Sequence, residues 1–267
     1  MALMAVVGKE FRMFFRYPLR VVSSLIVGLV FLLQFIYFGQ AVLGGRYSAL
    51  LQSSTGVGDY PTYALIGYVL WWVSVSPMEA SVWGVRRELQ RDTLESNVVS
   101  PMSLVEMILA LSLSWMLMDS VIMAIVFVMG TVIFEIPLSG AVVVKSLPVI
   151  GLSFLAFLGF GLVFAGLVMV LKNIGPFAQI FEFLILFLSG AFFPLSTLPE
   201  WVVDLSKALP LTHAASAVRK VFVGMPYSAI KGEIAWLLIL LPLYWAVSYL
   251  SFRWAEKTSR MIGYGGY

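Results

Sequence analysis

Six long apolar runs, nearly free of charge, alternate with short polar stretches along the chain, at about residues 21–38, 63–85, 107–134, 146–171, 177–193 and 234–252. A helix rises 1.5 Å per residue, so roughly 20 apolar residues cross a hydrocarbon core about 30 Å thick, with tilt for the longer runs. The pattern predicts an all-α membrane protein of six transmembrane helices. No stretch outside the runs is long enough for a second folded unit, so residues 1–267 are expected to form one transmembrane domain. The first run is long and lacks a small-x-small site close behind it, which argues against a cleaved signal peptide.

Three polar stretches depart from plain connectors. Near the amino terminus Lys9, Arg12, Arg16 and Arg20 recur every three or four residues, while Phe11, Phe14 and Phe15 take the other side. This predicts an amphipathic interfacial helix with its bases near anionic headgroups; a basic flank with accidental periodicity is the alternative. Residues 86–103 form a charged, helix-favouring run that ends at Ser100-Pro101, read either as a short helix projecting from the membrane or as a solvated connector. Residues 189–224 carry Pro194, Pro199 and Pro210, which break any continuous helix. Between the breaks Trp201, Val202, Leu205 and Leu209 fall at helical spacing, with Glu200, Asp204 and Lys207 off the stripe. Short re-entrant-type helices are expected, with that apolar face buried at the bilayer interface. A cysteine placed at Ser206 is expected to meet aqueous reagents.

Composition agrees with the pattern. The chain is 61% hydrophobic and 12% charged, about half the charged fraction of a soluble domain. A net charge of +3 is too small to suggest nucleic acid, and the absence of cysteine excludes disulfide and thiolate chemistry. Most of the 17 Lys and Arg residues fall in segments that share a side with the two termini. The positive-inside rule therefore places both termini in the cytoplasm and residues 194–231 outside.

The chemistry-bearing residues are few. The chain has no phosphate-binding loop, a lone His213 cannot anchor a metal cluster, and no nucleophile–base set is visible. Glu79, Asp119 and Glu182 sit within or near spans, Asp119 closest to mid-span. Intramembrane acids face protein or water, so Asp119 either lines a path or packs helices together, and Glu79 and Glu182, closer to span ends, either line a path or sit at the membrane interface. Gly151, Ala156, Gly159, Gly161, Ala165 and Gly166 give the fourth run a stripe of small residues that allows close helix approach.

In order and spacing, these features resemble the type-2 ABC transporter permeases. That family carries a pattern close to E-x-x-x-G-T-L-E, then Pro, in the corresponding loop. Here Glu88, Thr93-Leu94-Glu95 and Pro101 stand in that order, with Asp92 where the family usually has Gly. The later segment matches at Ser189-Gly190, Pro194, Leu198-Pro199, Trp201, Pro210-Leu211-Thr212, Arg219 and Gly224. The resemblance implies that Arg87, Glu88, Arg91, Thr93, Leu94, Glu95 and Pro101 form a coupling helix that docks on an ATPase subunit. It also implies that Pro194, Pro199, Trp201, Pro210, Thr212 and Arg219 belong to an outer exit segment.

On this resemblance the chain is the non-catalytic permease of a plasma-membrane exporter, paired with a second identical or paralogous copy. ATP and Mg would be bound by separate ATPase subunits, and the chain itself would hold no cofactor. The pattern is closer to exporters of drug or lipid-like compounds, with polysaccharide or glycolipid export the alternative. A proton-coupled secondary transporter using Asp119, Glu79 or Glu182 is the rival from another class.

Overall fold

The computed structural model describes residues 2–90 and 103–262. Within them the chain forms α1 (Ala2–Arg16), α2 (Pro18–Leu43), α3 (Ala49–Thr55), α4 (Tyr60–Gln90) and α5 (Leu104–Ile133). There follow α6 (Gly140–Leu171), α7 (Gly175–Leu188), α8 (Glu200–Ser206), α9 (Pro210–Phe222) and α10 (Lys231–Ile262). Extended structure among the described residues is limited to an isolated antiparallel bridge between Tyr47 and Asp59.

The breaks have local causes. Pro18 opens α2, and a residue before proline is driven from the helical region, so Tyr17 sits at φ −111° and ψ 83°. The basic periodicity of the amino terminus therefore splits: Lys9, Arg12 and Arg16 share α1, whereas Arg20 belongs to α2. Its guanidinium lies 5.5 Å from the Phe14 ring centre and 5.7 Å from that of Trp115. Of the three phenylalanines Phe14 is buried and Phe15 exposed, with α1 laid against α5.

Ser103 caps α5 in a reciprocal box, accepting from the Glu106 backbone at 3.2 Å while Glu106 accepts from Ser103 N at 2.9 Å. Ser48 caps α3, and Arg46 ties the surrounding loop down, donating to Asp59 at 2.6 Å and to the Phe134 carbonyl at 2.6 Å.

Among the described residues five helical stretches are long and apolar enough to cross a membrane: α2, α4, α5, α6 and the stretch Tyr227–Ser259 that contains most of α10. The expected span at 177–193 differs. Its helix, α7, has 14 residues, which at 1.5 Å each give about 21 Å, short of a full crossing. It ends at Leu188, and Gly190 turns the chain at φ 71°, a conformation suited to glycine. Two carbonyls of that turn are held by side chains from other helices, which fixes the stop.

Burial ranks the helices. In its most apolar window α4 is 83% buried, against 17% for α2 and for the Tyr227–Ser259 stretch. α4 is thus the central post, with α5 and α6 against it and α10 along the far side of α6. The small-residue stripe of α6 explains the closeness. A Cβ on Gly159 would come 3.1 Å from the Trp245 ring, and one on Gly166 would come 2.9 Å from Ala255, both on α10. α2 and α7 keep wide apolar faces uncovered, including Ile26, Val30 and Phe31 on one and Ile180, Phe183 and Phe187 on the other.

Candidate functional site

The segment after α7 is held by one buried cation. Arg219 sits in the last turn of α9, where the helix dipole favours positive charge. It is 4% exposed. Its Nη1 donates to the Gly190 carbonyl at 2.9 Å, and its Nη2 donates to Ala191 at 2.6 Å and Tyr63 at 3.0 Å. The guanidinium lies 3.4 Å from the Tyr63 ring centre, and the Tyr63 hydroxyl donates to the same Gly190 carbonyl at 2.6 Å. A cation shared among carbonyls and an aromatic face avoids the cost of an unpaired buried charge. Gly67 makes room for this: a Cβ there would collide with the Ala191 carbonyl. The clamp joins α4, the turn after α7 and α9. The sequence marked Arg219 but not its partners Tyr63 and Gly67.

The three prolines act as expected of breakers. Pro194 precedes a short 3-10 turn (Leu195–Thr197), Pro199 precedes α8, and Pro210 occupies the first turn of α9. The apolar stripe does not form one buried face. Val202 is 7% exposed, whereas Trp201 and Leu205, four residues apart, point outward at 66% and 53%. Ser206 is fully buried and donates to Val203 O at 2.6 Å, so the expectation that it meets aqueous reagents is overturned. Asp204 is an exposed polar position on that helix, with Lys207 paired to it at 2.7 Å. His213 is buried against Trp236, rings 5.5 Å apart at 12°, with Nε2 at 2.8 Å from the Lys207 carbonyl. A carbonyl only accepts, so Nε2 carries the proton. Burial holds the His213 pKa below its ordinary value, which keeps the ring neutral.

The intramembrane acids come together. Asp119 on α5 accepts from Ser76 and Trp72 of α4. Glu79 lies within electrostatic reach of Asp119, and Glu182 on α7 within reach of Glu79. Glu182 is thus near the middle of its short helix rather than at a span end. Among the described residues no set of His, Asp or Glu side chains is placed to hold a metal.

Two recesses flank α9. One, about 340 Å³, is apolar and is walled by Ile66 and Val73 of α4, Phe127 of α5, Ile150 of α6 and Val218 of α9. The other, about 550 Å³, is polar and lies between α3, the turn after α7 and the opposite side of α9. At the other end of α4, Arg87 is exposed and Arg86 stacks over Trp83 at 5.6 Å. Glu88 lies on the last helical turns of α4. Arg91, Thr93, Leu94, Glu95 and Pro101 lie outside the described residues.

A family model described as ABC-2 type transporter matches residues 1–223. The chain is 35% identical over 88 residues to nodulation protein J of Rhizobium meliloti, covering 30% of this chain and 31% of that protein. Against nodulation protein J of Sinorhizobium fredii the figures are 33% over 120 residues, 42% and 43%. A probable multidrug ABC transporter permease, YbhR of Escherichia coli, is 22% identical over 200 residues, 73% of this chain and 53% of that protein. The chain therefore spans about a third to a half of the length of these relatives.

Proposed function

The chain belongs to the ABC-2 type transporter family, and on that premise we propose that it is the permease of an ATP-driven exporter for a hydrophobic or amphipathic, drug-like or lipid-like compound. The observation that carries this reading is the family match through residues 1–223 on a bundle of long apolar helices. The similarity to a probable multidrug permease favours export of such compounds, and the apolar recess beside α9 suits their chemistry. The uncovered faces of α2 and α7 suit lipid and a second copy of the chain, identical or paralogous.

An ATPase biases a permease only through contacts that differ between its states. We assign those contacts to Arg87, Glu88, Arg91, Thr93, Leu94, Glu95 and Pro101 on the cytoplasmic side, with α1 beside them. ATP and Mg belong to the separate ATPase subunits. With both termini inside, Pro194, Pro199, Trp201, Pro210, Thr212 and Arg219 cap the exit. Helix α4, which runs on through Pro77, links the two ends, its carboxyl end leading into the coupling loop and its first turns held in the Arg219 clamp. The hydrogen bonds from Ser76 and Trp72 support a packing role for Asp119 and its neighbours.

The test is crosslinking in native membranes from a photoreactive group on a cysteine at Arg87. The expected adduct is a polypeptide with a phosphate-binding loop, and the adduct disappears in the Glu88→Lys, Glu95→Lys double variant. ATP hydrolysis by the pure chain, or adducts without such a polypeptide, would remove the reading.

A further inference from the structure

A further recess, of about 320 Å³, lies at the end of α4 remote from the Arg219 clamp, walled by Trp83, Arg86 and Arg87 of α4 and by Trp115 of α5. A third guanidinium adjoins it. Arg20 of α2 lies 5.7 Å from the Trp115 ring centre, and Arg86 lies 5.6 Å over Trp83. Arg20 is the last charge before the apolar run of α2, and the next along the chain is Arg46. Arg20 therefore marks the level at which α2 enters hydrocarbon. Tryptophan favours that same level, and Trp83 keeps 46% of its surface exposed. The recess opens among lipid headgroups.

Its positive charge is uncompensated. The ion pairs among the described residues join Arg46 to Asp59, Lys207 to Asp204 and Lys220 to Glu233, and none involves Arg20, Arg86 or Arg87. Asp119 lies within electrostatic reach of Arg20 but already accepts from Ser76 and Trp72. Arg86 Nε is buried without a partner, which is rare in a native fold. Arg86 also lies beside the start of α7, where a Cβ on Gly175 would come 3.9 Å from its Nη1. That helix end has neither a side-chain cap nor an acid in its first turn, so its dipole adds positive potential next to the guanidinium. Positive charge gathered this closely favours an anion.

We propose that this recess holds the phosphodiester of an anionic phospholipid from the adjoining leaflet. Arg20, Arg86 and Arg87 donate to the phosphate oxygens, Trp83 and Trp115 pack the glycerol backbone, and the acyl chains follow the uncovered face of α2 at Ile26 and Val30. A soluble acidic segment of a partner docks beyond the headgroups, whereas this recess sits where a span begins. Free phosphate has no use for two indoles. The bound lipid ties the thinly packed α2 to the buried α4.

The experiment uses the full chain in phosphatidylcholine nanodiscs doped with photoreactive lipids of identical chains, one a phosphatidylglycerol and one a phosphatidylcholine. The expected result is saturable labelling of peptides from α2 and α5 by the phosphatidylglycerol probe, with weak labelling by the other. Half-saturation should move to about fivefold higher concentration in Arg20→Gln and in Arg86→Gln, the effect of one basic residue at an anionic surface. Arg20 is exposed, so its variant keeps the test open if Arg86→Gln fails to fold. Lys257→Gln removes an exposed cation of α10 and should change nothing. Arg87 belongs to the assigned ATPase contacts and stays native. Equal labelling by the two probes, half-saturation unchanged in a folded arginine variant, or an equal shift in Lys257→Gln would each overturn the site. Labelling abolished by excess inorganic phosphate would give the recess to free anions, and labelling abolished by a bound ATPase subunit would give it to an acidic segment of that partner; either result overturns the lipid. Binding needs neither ATP nor cargo, so its failure leaves the export reading standing.

Discussion

At the residue scale the decisive side chain is Arg219, because three backbone carbonyls from two separate segments depend on it. Arg219→Met should strand those acceptors and lower stability by about 3 kcal/mol or more. Arg219→Lys should recover little, since an ammonium cannot reproduce the planar fork. Gly67→Ala should be comparably damaging through its clash with the Ala191 carbonyl. Thermal unfolding of the purified protein checks this, and unchanged midpoints in all three would contradict the clamp. His213 carries a pH dependence of known sign. Its folded pKa lies below the ordinary 6.5, so the unfolded chain takes up the proton first as pH falls. The stabilising contribution is complete above pH 6.5 and is lost as pH drops through the folded value. The unfolding midpoint should therefore decline on the acid side of pH 6.5, and His213→Gln should flatten that decline.

At the element scale, cysteine reporters test the orientation. A cysteine at Asp204 should react with a membrane-impermeant thiol reagent in intact cells, and one at Arg87 only after permeabilisation, against a background free of native cysteine. The reverse pattern would invert the topology. Much of the element order was legible in the sequence, because long apolar runs and prolines are strong local signals. The starts of α2, α8 and α9 follow from Pro18, Pro199 and Pro210. The short α7 was not legible: its apolar run continues through Phe193, and what ends the helix is a remote arginine and tyrosine. α3 could have been found from Ser48 as a cap and Gly56 at φ 77° behind it. The split of Trp201 from Val202 was hidden because two helical turns are too few for periodicity to say which side faces protein. The gathering of Glu79, Asp119 and Glu182 on three helices is tertiary, beyond any reading of spacing.

At the scale of the whole molecule, a bundle built on the buried post of α4 leaves its outer helices free to face lipid and a partner. On the proposed mechanism, one helix joins the assigned coupling residues to the exit segment, so work done by an ATPase at one end would be felt at the other. This coupling is the central claim, and it can be measured without knowing the cargo. In native membranes, the labelling rate of a cysteine at Asp204 should change between nucleotide-free, ATP-bound and vanadate-trapped states. The change should vanish when Glu88 and Glu95 are both reversed to lysine, while the protein stays in the membrane. A labelling rate indifferent to nucleotide, or a nucleotide response that survives the double reversal, would contradict the account.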